Sequence, residues 1–552
     1  MSQQLPDRKL KDLEAEDGWH NVFHDVITSA VDETIFKELY DSETGRPNAP
    51  IRQLFGMIVL KEGHGWTDEE LFEHSRYNLK VMRALGINNL REDVPSESTY
   101  YEFKKKLAEH FRSADENLIE EAFEQLTAEQ IEQYDVLADK VRMDSKLIQS
   151  NISQCDRLQL VLKVVSAFYK GLTDKERKRI KKDSDQKFLT KISQHTASNL
   201  TYRMSEAAKT EWLQRLGLLI RKLLNIYRPD KPSNYEVLER LFEEQYEQDD
   251  EHGRLQPRPD DQIESDSLQS PYDTEATYRK KGHGQNEQQV SGYTANVSET
   301  CSTDGLNLIT DVQLGPAHRS DDSFLTKAIE RTERRTKQSV EGVWTDGGYD
   351  SYHNRFQFDS KEWKGKHWWL AHTKGRKITY EFEWLEDEQT YLVTDTITET
   401  EHKAEWASND EYKITSPRGT RYFEPKFICS YIALRRVCKT NPQLLKTRAN
   451  VEATIRQMFC KMDGNKTRYR GYWSNFTYVL SRAIWTNFRR IHAQTVRKGP
   501  NTPKQPDKKA KNAIVFILNL WNRWWTASIQ NILNWKKLPF LHLDQQSLGY
   551  AV

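Results

Sequence analysis

Three acidic residues sit where a strand or helix would not ordinarily need them. Asp144 lies inside VRMDSKLI, an apolar and basic run that reads as a strand from Lys140 to Ile148. Aspartate is disfavoured mid-strand and costly if buried without a partner. Asp346 closes VEGVWTD, where a strand-like run stops at Gly347, Gly348 and Tyr349, followed by a second acid, Asp350. Glu452 lies in LLKTRANVEATIRQMFCKM, whose helical apolar face is Val451, Ile455, Met458, Phe459 and Met462. Glu452 falls outside that face, with Arg448 and Arg456 four residues to either side.

Brought together, three carboxylates would suit a pair of hard divalent cations such as Mg2+, which prefer oxygen ligands. Two such ions roughly 3.5–4 Å apart can clamp the attacking and leaving oxygens of a phosphoryl displacement. Glycines after Asp346 would let the chain turn and leave room beside the carboxylate. Each acid also has a plainer reading. Asp144 can face solvent on an edge strand, paired with Arg142 or Lys146. Asp346 can open an Asp-Gly turn, and Glu452 can be one rung of an Arg–Glu–Arg surface ladder worth a few tenths of a kcal/mol. Asp350 reads as the cap of the following helix, DSYHNRFQF.

The elements around these acids supply an order. Residues 1–135 read as helical: IRQLFGMIVLKEGHGW has helical apolar spacing, Thr67 to Glu70 resembles a capping box, and Ser96 or Ser98 is placed to cap a further helix. The strand with Asp144 follows, within 136–154. Residues 155–269 return to helix and end in an acidic, proline-containing linker. Then come two strands, QQVSGYTANVSET and GLNLITDVQLG, joined by CSTDG as a hairpin. A capped helix (SDDSFLTKAIERTERRTKQ), the strand ending in Asp346 and a short strand, HWWLAHTK, complete 270–375. Residues 376–432 alternate in β fashion through RYFEPKFICSYIAL, a basic helical region spans 433–498, and a Trp-rich helical tail spans 499–552. Without the inserts, the order strand, hairpin, helix, strand, short strand, helix is that of an α/β, RNase H-like mixed sheet flanked by helices. Asp144, Asp346 and Glu452 occupy its first strand, the end of its fourth strand and its late helix.

Composition narrows the class. The longest apolar stretch, AIVFILNLW at 513–521, is far short of the roughly 18–20 residues of a membrane span. The N-terminus lacks the layout of a secretory signal. Five scattered cysteines without CxxC spacing argue against a zinc knuckle or disulfide framework and for a reducing cytoplasm. Lys plus Arg and Asp plus Glu balance at 82 each, yet Arg435–Lys511 holds nineteen basic residues against three acids, Glu452, Asp463 and Asp507. That is the footprint of a phosphate-binding face.

Taken in order, MDSKLI, TDGGYDS and Arg448-x-x-x-Glu452 resemble the DDE transposases of bacterial insertion sequences. PSESTYYEFKKKL resembles the N-terminal domain of many such proteins, and TEATYRKKG through RSDDS resembles their second and third strands. The resemblance covers 50–110, 136–150 and 270–492. It implies a catalytic triad of Asp144, Asp346 and Glu452 holding two Mg2+ (Mn2+ as a substitute), with Gly347, Gly348 and Tyr349 supporting it. It further implies nicking of double-stranded DNA at terminal inverted repeats and joining of the freed ends to target DNA. Arg448, Arg456, Lys461, Arg468, Arg470 and Arg482 are the expected DNA contacts. A homodimeric active complex in the bacterial cytoplasm, associated with the nucleoid, is expected. The β-rich insert matches one branch of the family. That branch also carries a Tyr three residues before the Arg and a Lys seven after the Glu, where this chain has Leu445 and Phe459. A nuclease without strand transfer and an inert DNA-binding relic are the alternatives. His372 could approach a phosphate or be structural, and the tail could stack on bases or pack.

Overall fold

In the computed structural model, the alternation of KVRMDSKLIQ forms a ten-residue strand, β1 (Lys140–Gln149), at the centre of a mixed sheet. The structure describes residues 6–40, 50–89, 92–248, 254–282, 287–303, 305–371, 378–407, 409–438 and 445–498, except for the side chains of 445–449 and 498. His372 and the 499–552 tail therefore lie outside the described residues.

The other strands of the sheet are β2 (Thr277–Lys281), β3 (Gln288–Thr300), β4 (Ile309–Pro316), β5 (Gly342–Thr345) and β6 (His367–Leu370). One edge of β3 runs antiparallel to β1, with Asp144 opposite Val297. Its other edge is shared by β2 and β4. On the far side β1 pairs in parallel with β5, and β5 with β6. The order β4–β3–β1–β5–β6, antiparallel then parallel, is the RNase H-like arrangement, with β2 as an extension.

Successive residues of a strand face opposite sides of a sheet, and the two sides are covered differently. Val141, Met143 and Val343 pack with the helix α5 (Leu325–Thr336) and the aromatic rings of Phe358, Trp363 and Trp368. The opposite face bears Ile148, Tyr293, Ala295, Val297 and Val312. These join one core with α7 (Leu445–Phe459), α8 (Tyr472–Lys498) and the N-terminal helices α1 (Ile51–His64), α2 (Asp68–Tyr77), α3 (Glu97–Ala114) and α4 (Leu118–Gln133). Thr67 and Glu70 form the expected capping box at α2, and Ser96 caps α3.

The segments between the sheet strands carry cores of their own. Leu158, Val161, Val165, Phe168, Leu216, Ile220 and Leu238 cluster within the helical segment after β1. Its acidic end is not a bare linker: Tyr246–Gln248 pairs with Leu255–Pro257. Past β6, two three-stranded sheets enclose Tyr380, Val393 and Ile414. The expected β segment RYFEPKFICSYIAL divides: Gly419–Phe423 is a strand, but Pro425–Val437 is a helix, α6. Pro425 sits at its first turn, where a missing N–H costs nothing, and Ile428, Tyr431 and Leu434 bury one side. No helix among the described residues is long and apolar enough to cross a membrane.

Candidate active site

Register brings together the segments that lead into the two aspartates. In the parallel β1–β5 pair, Val141 lies opposite Val343 and Arg142 opposite Trp344. Two residues further along each chain stand Asp144 and Asp346, on strands that neighbour at about 4.8 Å. The edge-strand reading of Asp144 therefore fails: β1 is flanked by β3 and β5. Nor are Arg142 and Lys146 drawn away to solvent. Arg142 Nε donates to Glu299 Oε1 at 2.6 Å, and Lys146 Nζ donates to Asn465 Oδ1 at 2.8 Å. Asp144 is half-buried, and its Oδ1 accepts from the Ser145 amide at 2.9 Å.

Asp346 leaves β5 in extended geometry, and its Oδ1 accepts from the Gly348 amide at 2.9 Å. It caps a short 3-10 turn, Gly347–Tyr349. Neither glycine uses positive φ; what Gly348 provides is space. A Cβ there would lie 3.0 Å from Asp346 Oδ1 and 3.0 Å from Asp321 Oδ2. This cradle is made by two carboxylates and would be filled by any side chain. Asp321 is buried and ion-paired to Arg279 at 3.2 Å. Tyr349 is buried and donates to Asn296 of β3, tying the turn to the sheet. Asp350 is not the helix cap. Ser351 caps Tyr352–Phe358, while buried Asp350 accepts from Arg355 Nε at 2.6 Å and Nη2 at 2.8 Å. The arginine one turn further on draws the acid inward.

Glu452 is exposed on α7, which packs on β1, β3 and β5. Thr454, two residues on, turns inward to Glu299 of β3. Glu299 is the cross-strand partner of Arg142, so α7 covers the face that Arg142 and, by alternation, Asp144 share. The helix that carries Glu452 thus covers the side of the sheet on which Arg142 lies. All the donors are oxygens, which suits a hard divalent cation. A different trio in the N-terminal part of the chain, Glu38, His110 and Glu116, has ligand atoms within 4.8 Å of one another.

Two family models match the chain. Residues 11–106 match a Transposase domain (DUF772), and residues 257–488 match the Transposase DDE domain. The chain belongs to the DDE transposases of insertion-sequence type. No curated protein and no solved structure matches it. The DDE match begins beyond the helical segment and so contains Asp346 and Glu452 but not Asp144; β1 brings Asp144 in through the sheet. DDE transposases act on DNA and use divalent metal ions.

The basic residues of this transposase separate by burial. Arg456, Lys461, Arg468 and Arg470 are exposed. Arg468 also donates to the Gly65 and Trp66 carbonyls, and Arg470 to the Asn151 carbonyl at 2.8 Å. Arg482 is corrected from a DNA contact to a structural group: it is 2% exposed. Its guanidinium donates to the carbonyls of Glu62, Gly63, Gln457 and Met458, satisfying the ends of α1 and α7. The side chain of Arg448 lies outside the described residues. Sequence reasoning missed Asp321, Glu299 and Thr454. An acid inside the strand-like run NVSET was the one available signal for Glu299.

Proposed function

We propose that Asp144, Asp346 and Glu452 form the catalytic set of this transposase, binding two Mg2+ and carrying cleavage of the element's ends and strand transfer to target DNA. The observation that supports the reading is the parallel register of β1 and β5, whose last pair, Arg142 with Trp344, stands two residues before each aspartate, together with the packing of α7 on both strands.

Asp144 is held by β1 and Asp346 by its bond to the Gly348 amide, so both carboxylates are oriented before substrate arrives. Glu452 approaches from the helix and completes an all-oxygen ligand set. When bound, the metal supplies positive charge against phosphoryl oxygens and lowers the pKa of water. Exposed Arg456, Lys461, Arg468 and Arg470 are suited to the DNA backbone, where contacts position the duplex without reading its sequence.

The test is cleavage of DNA carrying the element's ends. Asp144→Asn, Asp346→Asn and Glu452→Gln should each reduce Mg2+-dependent cleavage beyond the roughly 10–100-fold typical of outer-shell changes, with metal-free DNA binding retained. Wild-type cleavage by any of the three removes that residue from the set. Ends joined to target DNA support transposition; free cut ends alone would leave only a nuclease.

A further inference from the structure

Beneath α7 lies a polar network that the proposed ligand set does not include. Glu299 of β3 is fully buried between two guanidinium groups. Its Oε1 accepts from Arg142 Nε at 2.6 Å, and its Oε2 accepts from Arg490 Nη1 of α8 at 2.7 Å. Thr454 Oγ1 of α7 lies 2.9 Å from each carboxylate oxygen and accepts from Arg490 Nη2 at 2.5 Å. Three elements of the catalytic core and one threonine are thereby joined through a single acid.

The positions of these groups give the network a purpose. Arg142 stands two residues before Asp144, and Thr454 two residues after Glu452. The other buried residues of α7 among the described side chains are Val451, Ile455, Met458 and Phe459, whose apolar contacts are non-directional and set the rotation of a helix only loosely. A hydroxyl bonded to a buried carboxylate is directional, because losing it leaves a desolvated acceptor.

We infer that Glu299, Arg142, Arg490 and Thr454 form a clamp that sets the rotation of α7, making Thr454 a positioning residue for Glu452. Divalent-metal affinity at the seam then depends on a hydroxyl that touches neither metal nor DNA. This rests on the triad reading above.

The test is calorimetric titration of the full chain with Mn2+, without DNA, alongside Asp346→Asn as a ligand-removal control. Thr454→Val keeps shape and removes the hydroxyl; it should weaken Mn2+ binding by about tenfold, as outer-shell losses do. Thr454→Ser restores the hydroxyl and should bind Mn2+ close to wild type. Arg490→Lys keeps a cation by Glu299 but removes the bond to Thr454, and should weaken binding in the same direction even if the valine form does not fold. Wild-type Mn2+ affinity in Thr454→Val, or in Arg490→Lys where valine cannot be titrated, overturns the clamp. Equal losses in the serine and valine forms also overturn it, since packing alone would then explain them. If the wild-type chain and Asp346→Asn titrate alike, the triad reading itself fails, and the clamp with it.

Discussion

An amide hydrogen bond and a missing side chain both bear on the orientation of Asp346. Its Oδ1 accepts from Gly348, and the space above Gly348 is bounded by that oxygen and Asp321 Oδ2. Gly348→Ala should therefore cost about 1–3 kcal/mol by overpacking and reduce cleavage, since one carboxylate must move. Denaturant melts and end-cleavage rates on the same variant check both parts. Exposed Arg456 and Arg470 belong to a different class. Alanine at either should leave stability within about 0.5 kcal/mol and lower the salt dependence of DNA binding by roughly one phosphate contact. Binding isotherms across a salt series measure this. The acids were legible as candidates because each is out of place locally. Which of them turned inward was not, as the exchange of Asp350 for Ser351 at the helix cap shows.

At the scale of elements, local chemistry names the helix ends well. The Thr67–Glu70 box satisfies backbone donors within four residues, so it could be read from spacing alone. The identity of α6 could not: KFICSYIAL suits strand or helix, and Pro425 together with the buried face decides for helix. The ends of α1 and α7 meet at Arg482, which supplies four carbonyls with donors. Arg482→Ala should destabilise the protein by about 3–5 kcal/mol, as loss of a buried hydrogen-bonded charge partner does. Loss of salt-sensitive DNA affinity without loss of stability would return Arg482 to the DNA-binding set. In sequence, Arg482 resembled its basic neighbours, because burial of a charge depends on carbonyls more than twenty residues away.

At the scale of the whole molecule, the N-terminal helices and the catalytic core share one apolar cluster, and His64 packs against it. Its ring stacks on Trp66 at 4.2 Å and lies 4.8 Å from Trp485 of α8. Burial, with His74, Lys461, Arg489 and Arg482 nearby, holds its pKa down at about 4 against an ordinary 6.5. The folded state thus binds this proton less readily than the unfolded state. Its stabilising contribution is full above pH 6.5 and is lost as pH falls toward 4. Allowing for partial exposure, the loss is about 1–2 kcal/mol. Urea midpoints measured from pH 7 to 4 should fall less steeply in His64→Phe than in wild type; identical slopes would remove His64 as the cause.

The sequence by itself determined most of the elements, their order and three acids at telling stations in that order, because periodicity, capping and strand ends are written within a few residues. Only the tertiary structure decided that the strand of Asp144 pairs with the strand that leads into Asp346. The two strands are about two hundred residues apart in the chain, with a separately cored helical segment between. It also decided that Arg482 is a brace and that Glu299 lies under the glutamate helix. Pairing register and burial are properties of contacts between distant segments, and no local pattern encodes which segment will arrive.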